Sequence, residues 1–311
     1  MERGRSSCDR NTVIEEVLIV DTKDKYKFTV LCGDKRQAVI AREFVKLGHK
    51  VSCWSLSNAP VECEICSNVD KAVDSADFII LPLPFSRDNI YLSSASDKIE
   101  LRRIVELAKK NGSVILAGLV SDEMLHLCES ECVEIIDYYK SESLQMKNAL
   151  PSAEGAIMLA MEHTEITVYG MKALVTGYGR IGKILANILR SLGASVTVAA
   201  RRDETLCEIV MSGFEAIKTN FDCLTFTEYD VIFNTVPSVI LNEKVLKNIK
   251  NKPVYIEIAS SPGGIDTTFA RSMGMEIIFA PSLPGKYSPI SAGKYIFETI
   301  SEILSQRRIE I

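Results

Sequence analysis

The sequence predicts an α/β protein made of two doubly wound domains with parallel sheets, joined by a linking helix. Three observations predict it. Strand and helix patterns alternate from Phe28 to the last segment of the chain. A Gly-x-Gly-x-x-Gly turn at residues 177–182 follows a strand pattern and opens a helix pattern. A length of 311 residues suits two domains better than one.

Residues 1–27 are charged and poorly periodic and read as an N-terminal tail. The first domain, 28–150, opens with the strand FTVLC, the turn GDKRQ, a helix through AVIAREFVKLG and a second strand in HKVSCWSL. The apolar run DFIILPLP, a helix ending at LRRIVELAKKNG, the strand SVILAG and a helix capped by Ser121 complete it. A break at residues 150–151 precedes PSAEGAIMLAMEHT, which predicts a linking helix capped by Ser152 with an apolar stripe of Ile157, Met158 and Met161. The second domain, 151–289, alternates again: MKALVTG, RIGKILANILRSLG, ASVTVAA, a helix from Asp203, DVIFNTVP, a helix from Asn242, PVYIEIAS and MEIIFAP. The segment 290–311 has helical spacing and is placed packing back on the first domain.

Composition excludes several classes. A formal charge of -5 with no basic stripe offers no attraction for nucleic acid. No apolar run approaches the roughly 20 residues that span a bilayer, and MERGRSSCDRNTVIEE lacks the apolar core of a signal peptide, so no membrane and a cytoplasmic location are expected. Nine scattered cysteines read as reduced, buried thiols and no metal is assigned; a four-thiolate zinc site from Cys63, Cys66, Cys128 and Cys132 is the alternative.

The chemistry starts at the turn. Gly177 allows a tight bend, Gly179 lets backbone approach a pyrophosphate, and Gly182 brings helix close to strand; with Tyr178, Arg180 and Ile181 they form a dinucleotide-binding, Rossmann-like fingerprint. An NAD site places a carboxylate on the ribose about 20 residues on. This chain has Arg201 and Arg202 there, which suits the 2′-phosphate of NADP. The alternative keeps them as a solvated helix start and gives the ribose to Asp203, which leaves NAD open. Thr235, Val236 and Pro237, and Ala259 and Ser260, stand where strands end and are expected to border the cofactor, simple turn chemistry being the alternative.

On the substrate side, Lys35 and Arg36 beside a helix start suit a carboxylate, with a solvated helix start as the plain reading. Lys286 and the amides of Gly263 and Gly264 are candidates from the second domain. Glu154, near the start of the linking helix, is the candidate proton acceptor; a carboxylate favoured there by the helix dipole is the alternative. The three histidines, His49, His126 and His163, leave none beyond residue 163 to act as acid or base.

PSAEGAIMLAMEHT, YGMKALVTGYGRIGK, IASSPGGID, APSLPGKYSPISAGKY and the turn GDKRQ together resemble the family of dipicolinate synthase A subunits over residues 28–305. That resemblance implies oxidation of dihydrodipicolinate, a branch product of the lysine pathway, to pyridine-2,6-dicarboxylate with a nicotinamide acceptor. It also implies a flavoprotein-like B subunit of dipicolinate synthase as partner and a place in the mother cell during sporulation; a homo-oligomer stays open. Two other readings remain: a catalytically silent NADP-binding regulatory or scaffold protein, and a 2-hydroxyacid or alanine dehydrogenase-like enzyme. The second usually needs a histidine near the cofactor, which this second domain lacks.

Overall fold

A computed structural model of the chain describes residues 26–93, 98–220, 229–249 and 251–309. The expected tail lies outside them except for Tyr26 and Lys27. Two six-stranded sheets form the frame, and every pairing between their strands is parallel.

The first sheet contains β1 (Lys27–Leu31), β2 (Lys50–Trp54), β3 (Glu64–Ile65), β4 (Phe78–Ile80), β5 (Val114–Ala117) and β6 (Ile135–Asp137), in spatial order β3-β2-β1-β4-β5-β6. Between them run α1 (Lys35–Lys46), α2 (Val69–Val73), α3 (Leu101–Asn111) and α4 (Asp122–Ser130). Side chains alternate across the sheet, as the pleat requires. Leu31, Ile79, Leu81 and Ile115 face one core, which Val69, Ile104 and Met124 close from α2, α3 and α4. Phe28, Val30, Ile80 and Leu116 face another, against Phe44 of α1.

The chain then enters α5 (Glu142–His163) and builds the second sheet from β7 (Lys172–Thr176), β8 (Ser195–Ala200), β9 (Glu215–Lys218), β10 (Val231–Asn234), β11 (Val254–Glu257) and β12 (Ile277–Phe279). Their order is β12-β11-β10-β7-β8-β9. The helices α6 (Arg180–Ser191), α7 (Asp203–Met211), α8 (Glu243–Leu246) and α9 (Thr267–Ser272) connect them. Then follow α10 (Leu283–Tyr287) and α11 (Pro289–Gln306). The last helix returns to the first sheet, packs on α1, and buries Ile296, Ile300 and Leu304 completely. At roughly 1.5–3 kcal/mol for each such side chain, α11 is a layer of that core and not an appendage.

The linking helix differs from its expected form. It starts ten residues earlier than Ser152, at Glu142, capped by the Ser141 hydroxyl, and runs through Pro151 without ending. Proline costs the Lys147 carbonyl its helical partner, about 3 kcal/mol in an isolated helix. Ala149, Ala153, Ala156 and Ala160 are buried along this helix, and tertiary packing overrides the local preference. Ser152 therefore caps nothing; its hydroxyl donates to the Asn148 carbonyl at 2.9 Å. Of the predicted stripe only Ile157 is buried, while Met158 and Met161 face outward.

β3, α2 and β9 were not expected. β3 is two exposed residues, and β9, Glu-Ala-Ile-Lys, is an edge strand with no buried side chain, so neither leaves an apolar run to read. Among the described residues, no helix is long and apolar enough to cross a membrane.

Candidate dinucleotide and substrate clefts

In each sheet the chain order reverses between two neighbouring strands, β1 and β4 in one, β7 and β10 in the other. Loops leaving such a pair in opposite directions open a crevice at the strands' carboxyl ends, where ligands of doubly wound sheets bind.

At the second crevice, Gly177 has φ of +92°, and a side chain there would run into Thr235 and Val236. A Cβ on Gly182 would fall on the Gly177 carbonyl oxygen. Gly179, by contrast, would present a Cβ to nothing within 4 Å: its backbone faces open space at the N-terminus of α6. That vacant approach is what a pyrophosphate needs, so the residues fit a dinucleotide. A cleft of about 530 Å³ extends from Gly177, Tyr178 and Gly179 past Val236 and Pro237 to Arg201 and Arg202. Neither arginine forms an ion pair with a described residue. Asp203 is engaged elsewhere, paired with Lys218 at 2.7 Å. Thr205, Thr219 and Ser238 also line this cleft; sequence reading passed over them because single hydroxyl residues carry no pattern.

Below the cleft lies a polar network that pattern reading missed. The Glu257 side chain is buried and accepts four hydrogen bonds, from Asn234 Nδ2 at 2.6 Å, the Tyr255 hydroxyl at 2.9 Å, the Ala259 amide at 3.1 Å and the Gly264 amide at 2.7 Å. Asn234 Oδ1 accepts from the Thr176 hydroxyl at 2.5 Å and its amide donates to the Val236 carbonyl at 2.9 Å. Burial, and then the charge of Glu257, push the Tyr255 hydroxyl well above the usual phenol range, so it stays a donor. The available signal was a carboxylate and a carboxamide at the ends of the otherwise apolar strands VYIE and VIFN.

This network corrects the reading of Gly263 and Gly264. Their amides donate inward, to the Ser260 carbonyl and to Glu257, and neither is free for a substrate. Ala259 and Ser260 do not reach the dinucleotide cleft either; Ala259 donates to Glu257 and Ser260 is exposed. Thr235 acts from behind, its hydroxyl donating to the Thr176 carbonyl at 2.8 Å. The Arg180 side chain is committed to Glu142 at the start of α5, with two hydrogen bonds of 2.7 Å, and this pairing holds Glu142 below the usual carboxylate range.

The first crevice opens toward the second domain. One lobe, about 210 Å³, has walls from both domains: Leu83, Pro84, Leu119 and Tyr139 on one side, Ile258, Ala280, Leu283 and Pro284 on the other. Ile181 borders it from the glycine-rich turn, and Asn148 and Ser152 from α5. A smaller lobe, about 100 Å³, continues under the start of α1 past Gly33, Gln37, Arg87 and Ser93. Arg36, Leu83, Pro84 and Ser282 line both.

Arg36 is the junction, but not as a free clamp. Its Nη2 meets Asp34 at 2.9 Å and the Leu83 carbonyl at 2.7 Å, and its Nε meets Asp34 at 3.0 Å. The fork that sequence reading reserved for substrate is thus taken by Asp34. Lys35 and Lys286 are exposed and line neither lobe, since each sits on the solvent side of its helix. Glu154 is also exposed, and it stands in the thirteenth position of α5 because the helix begins at Glu142. The premise that placed it at a helix start beside the cleft fails. Among the described residues no group of three or more His, Cys, Asp or Glu is placed to hold a metal.

These features define the class: a two-domain, dehydrogenase-like protein with a nicotinamide dinucleotide-binding second domain. Residues 152–281 match the S-adenosyl-L-homocysteine hydrolase NAD binding domain family. Residues 27–139 match the family of N-terminal domains of the dipicolinate synthase A subunit. The chain is 28% identical over 292 residues to the A subunit of dipicolinate synthase from Bacillus subtilis, covering 91% of this chain and 97% of that one. The crystal structure of that Bacillus subtilis protein superposes with a TM-score of 0.80 at 26% identity, over 92% of this chain and 98% of that one. Over nearly its whole length the chain is thus similar to dipicolinate synthase A subunits. The apo D-lactate dehydrogenase of Escherichia coli shares the fold alone, with a TM-score of 0.61 at 15% identity over 92% of this chain and 98% of that one.

Proposed function

We propose that this protein oxidises dihydrodipicolinate to pyridine-2,6-dicarboxylate in the cytoplasm, as the A subunit of a two-subunit dipicolinate synthase, with NADP preferred over NAD. The observation that carries it is the continuity of the site: the turn Gly177–Ile181 borders the dinucleotide cleft on one side and the interdomain lobe on the other. The chain divides accordingly into a substrate-side domain (28–150), a dinucleotide domain (151–289) and a C-terminal helix region (290–311).

A bound nicotinamide supplies a hydride acceptor. The protein's part is to hold the ring of the substrate against that acceptor and to keep water away. The apolar faces of Leu83, Leu119, Ile258 and Leu283 suit a flat ring and exclude solvent from it. Loss of hydride and a proton makes the ring aromatic, and that driving force lessens the need for a strong protein base. The absence of any histidine beyond residue 163 is consistent with this. Arg201 and Arg202 favour a 2′-phosphate over a bare ribose, about tenfold to a hundredfold for one charge-assisted hydrogen bond.

The test is stopped-flow absorbance at the reduced-nicotinamide band, with freshly generated dihydrodipicolinate and either NADP or NAD, with and without the partner B subunit. Reduction by the chain alone, faster with NADP, is the expected result. Tight dinucleotide binding without reduction under any combination would assign the chain a regulatory or scaffold role instead.

A further inference from the structure

We propose that the small lobe under the start of α1 is a carboxylate-binding subsite formed by Gln37, Ser93 and Arg87, which takes one carboxylate of a small dianion while its ring occupies the larger lobe. The inference rests on the functional reading above and deepens it by saying which side chains select the substrate.

Gln37 carries the argument. It is fully buried, and its Oε1 accepts the Asp34 amide at 3.1 Å, closing a capping box at the start of α1. That bond fixes which way the planar amide faces. Nε2 is held on the opposite arm, buried and without a hydrogen-bond partner, in a side chain that lines the lobe. Glutamate serves a capping box equally well. Glutamine in that place leaves an amide donor buried beside the cavity with no partner, and an unmet donor is costly.

A second orphan faces the same space. The Ser93 hydroxyl is buried and without a partner. Arg87, from the same loop after β4, lines the lobe and makes no ion pair with a described residue. The one carboxylate lining the lobe, Asp34, is already neutralised by Arg36 at 2.9 Å. Among the described residues, the lobe is thus lined by one exposed, unpaired arginine, two buried side chains with unmet polar groups and the positive end of a 12-residue helix. Donors converging on a space of about 100 Å³ suit a carboxylate and exclude a phosphorylated sugar or a nucleotide. The adjoining lobe is mostly apolar and offers one further unpartnered group, Asn148 Oδ1.

Calorimetric titration of the full chain with pyridine-2,6-dicarboxylate, pyridine-2-carboxylate and non-aromatic dicarboxylates tests this. Gln37→Glu keeps the cap and the volume but replaces the donor with an anion; Arg87→Gln removes the charge. Both variants are expected to weaken the 2,6-dicarboxylate about tenfold to a hundredfold and to narrow its advantage over the monocarboxylate with NADP affinity unchanged, and Arg87→Gln, at an exposed position, to do so with the melting temperature unchanged as well. Undiminished binding of the 2,6-dicarboxylate by both variants would overturn the subsite and leave the functional reading intact. If the wild type ignores the pyridine compounds but binds another dicarboxylate that both variants lose, the subsite stands and the substrate reading falls. A wild type that binds none of these at millimolar concentration has only water in the lobe, which also overturns the proposal.

Discussion

Replacing Glu257 with glutamine tests whether the buried network below the dinucleotide cleft is what shapes it. Oε2 receives the Tyr255 hydroxyl and the Gly264 amide, and Oε1 receives Asn234 Nδ2 and the Ala259 amide. Glutamine has one oxygen and one NH2, so one pair of donors must meet another donor. The cheaper arrangement puts the NH2 at Oε2, because the Tyr255 hydroxyl can rotate to accept, whereas flipping Asn234 would also break its bonds to Thr176 and Val236. The Gly264 amide is then orphaned, at about 1–3 kcal/mol, and the surviving bonds lose their charge assistance at about 1 kcal/mol each. Relief from burying a charge acts the other way, but backbone donors cannot rearrange to exploit it. The expected loss is about 2–5 kcal/mol, or a melting temperature lower by about 5–15 °C, read by circular dichroism. Because the loops at Val236 and Ala259 are tied to this network, NADP affinity should fall as well, read by titration of reduced-nicotinamide fluorescence. A variant that melts within a degree of the wild type and binds NADP normally would refute the reasoning.

Two alanine substitutions in the glycine turn should separate folding from binding. Gly182→Ala places a methyl on the Gly177 carbonyl and should both destabilise the protein and abolish dinucleotide binding, whereas Gly179→Ala, with φ of -86° and open space ahead, should keep its melting temperature and lose only the binding. Arg201→Ala should weaken NADP about tenfold to a hundredfold and leave NAD unchanged, measured by parallel titrations; equal loss for both would remove its assignment to the 2′-phosphate. Burial pushes the Cys32 thiol from its ordinary 9.0 up to about 12 and the Cys128 thiol up to about 11. The folded state therefore holds these protons after the unfolded chain releases them. Their contribution to stability is full below pH 9 and declines above it, by about 1.4 kcal/mol per pH unit for each thiol until its folded value is reached. Urea unfolding at pH 8, 9.5 and 10.5 should show the decline, and Cys32→Ala should make it shallower by the share of one thiol, leaving that of Cys128.

How much of this was legible in the sequence depends on whether a residue's role is local. The doubly wound sheets follow from alternating patterns, and Gly177, Gly179 and Gly182 follow from a turn whose geometry is written in three neighbouring positions. The cap at Ser121 and the helix start at Asn242 were equally local. Pro151 misled because it reads as a helix boundary, while the burial that holds α5 together comes from α6, α10 and α11. That error carried Glu154 with it, since its role depended on where the helix begins. Arg36 lines both lobes, but its partner, Asp34, two residues away, was not weighed against the substrate. Glu257, Gln37 and Ser93 act through groups remote in sequence or through empty space, which no spacing rule records.

The two domains meet through more than a linker, and this limits how the cleft can move. α5 is one continuous helix that gives Leu144 to the first domain's core and Ala153, Ala156 and Ala160 to the second's. The chain crosses again between α10, in contact with α5, and α11, buried against α1. A third contact lies in the cleft itself, where Gly285 of α10 sits so close to the Asp34–Arg36 pair that a Cβ would come within about 3 Å of both side chains. A rigid closure about a single flexible strand is therefore not available. The weak points in the helical hydrogen bonding are Pro151, which has no N–H, and Ser288, whose φ of -136° breaks α10 from α11. They lie on elements that touch, for Gly155 packs on Leu283 and Tyr287.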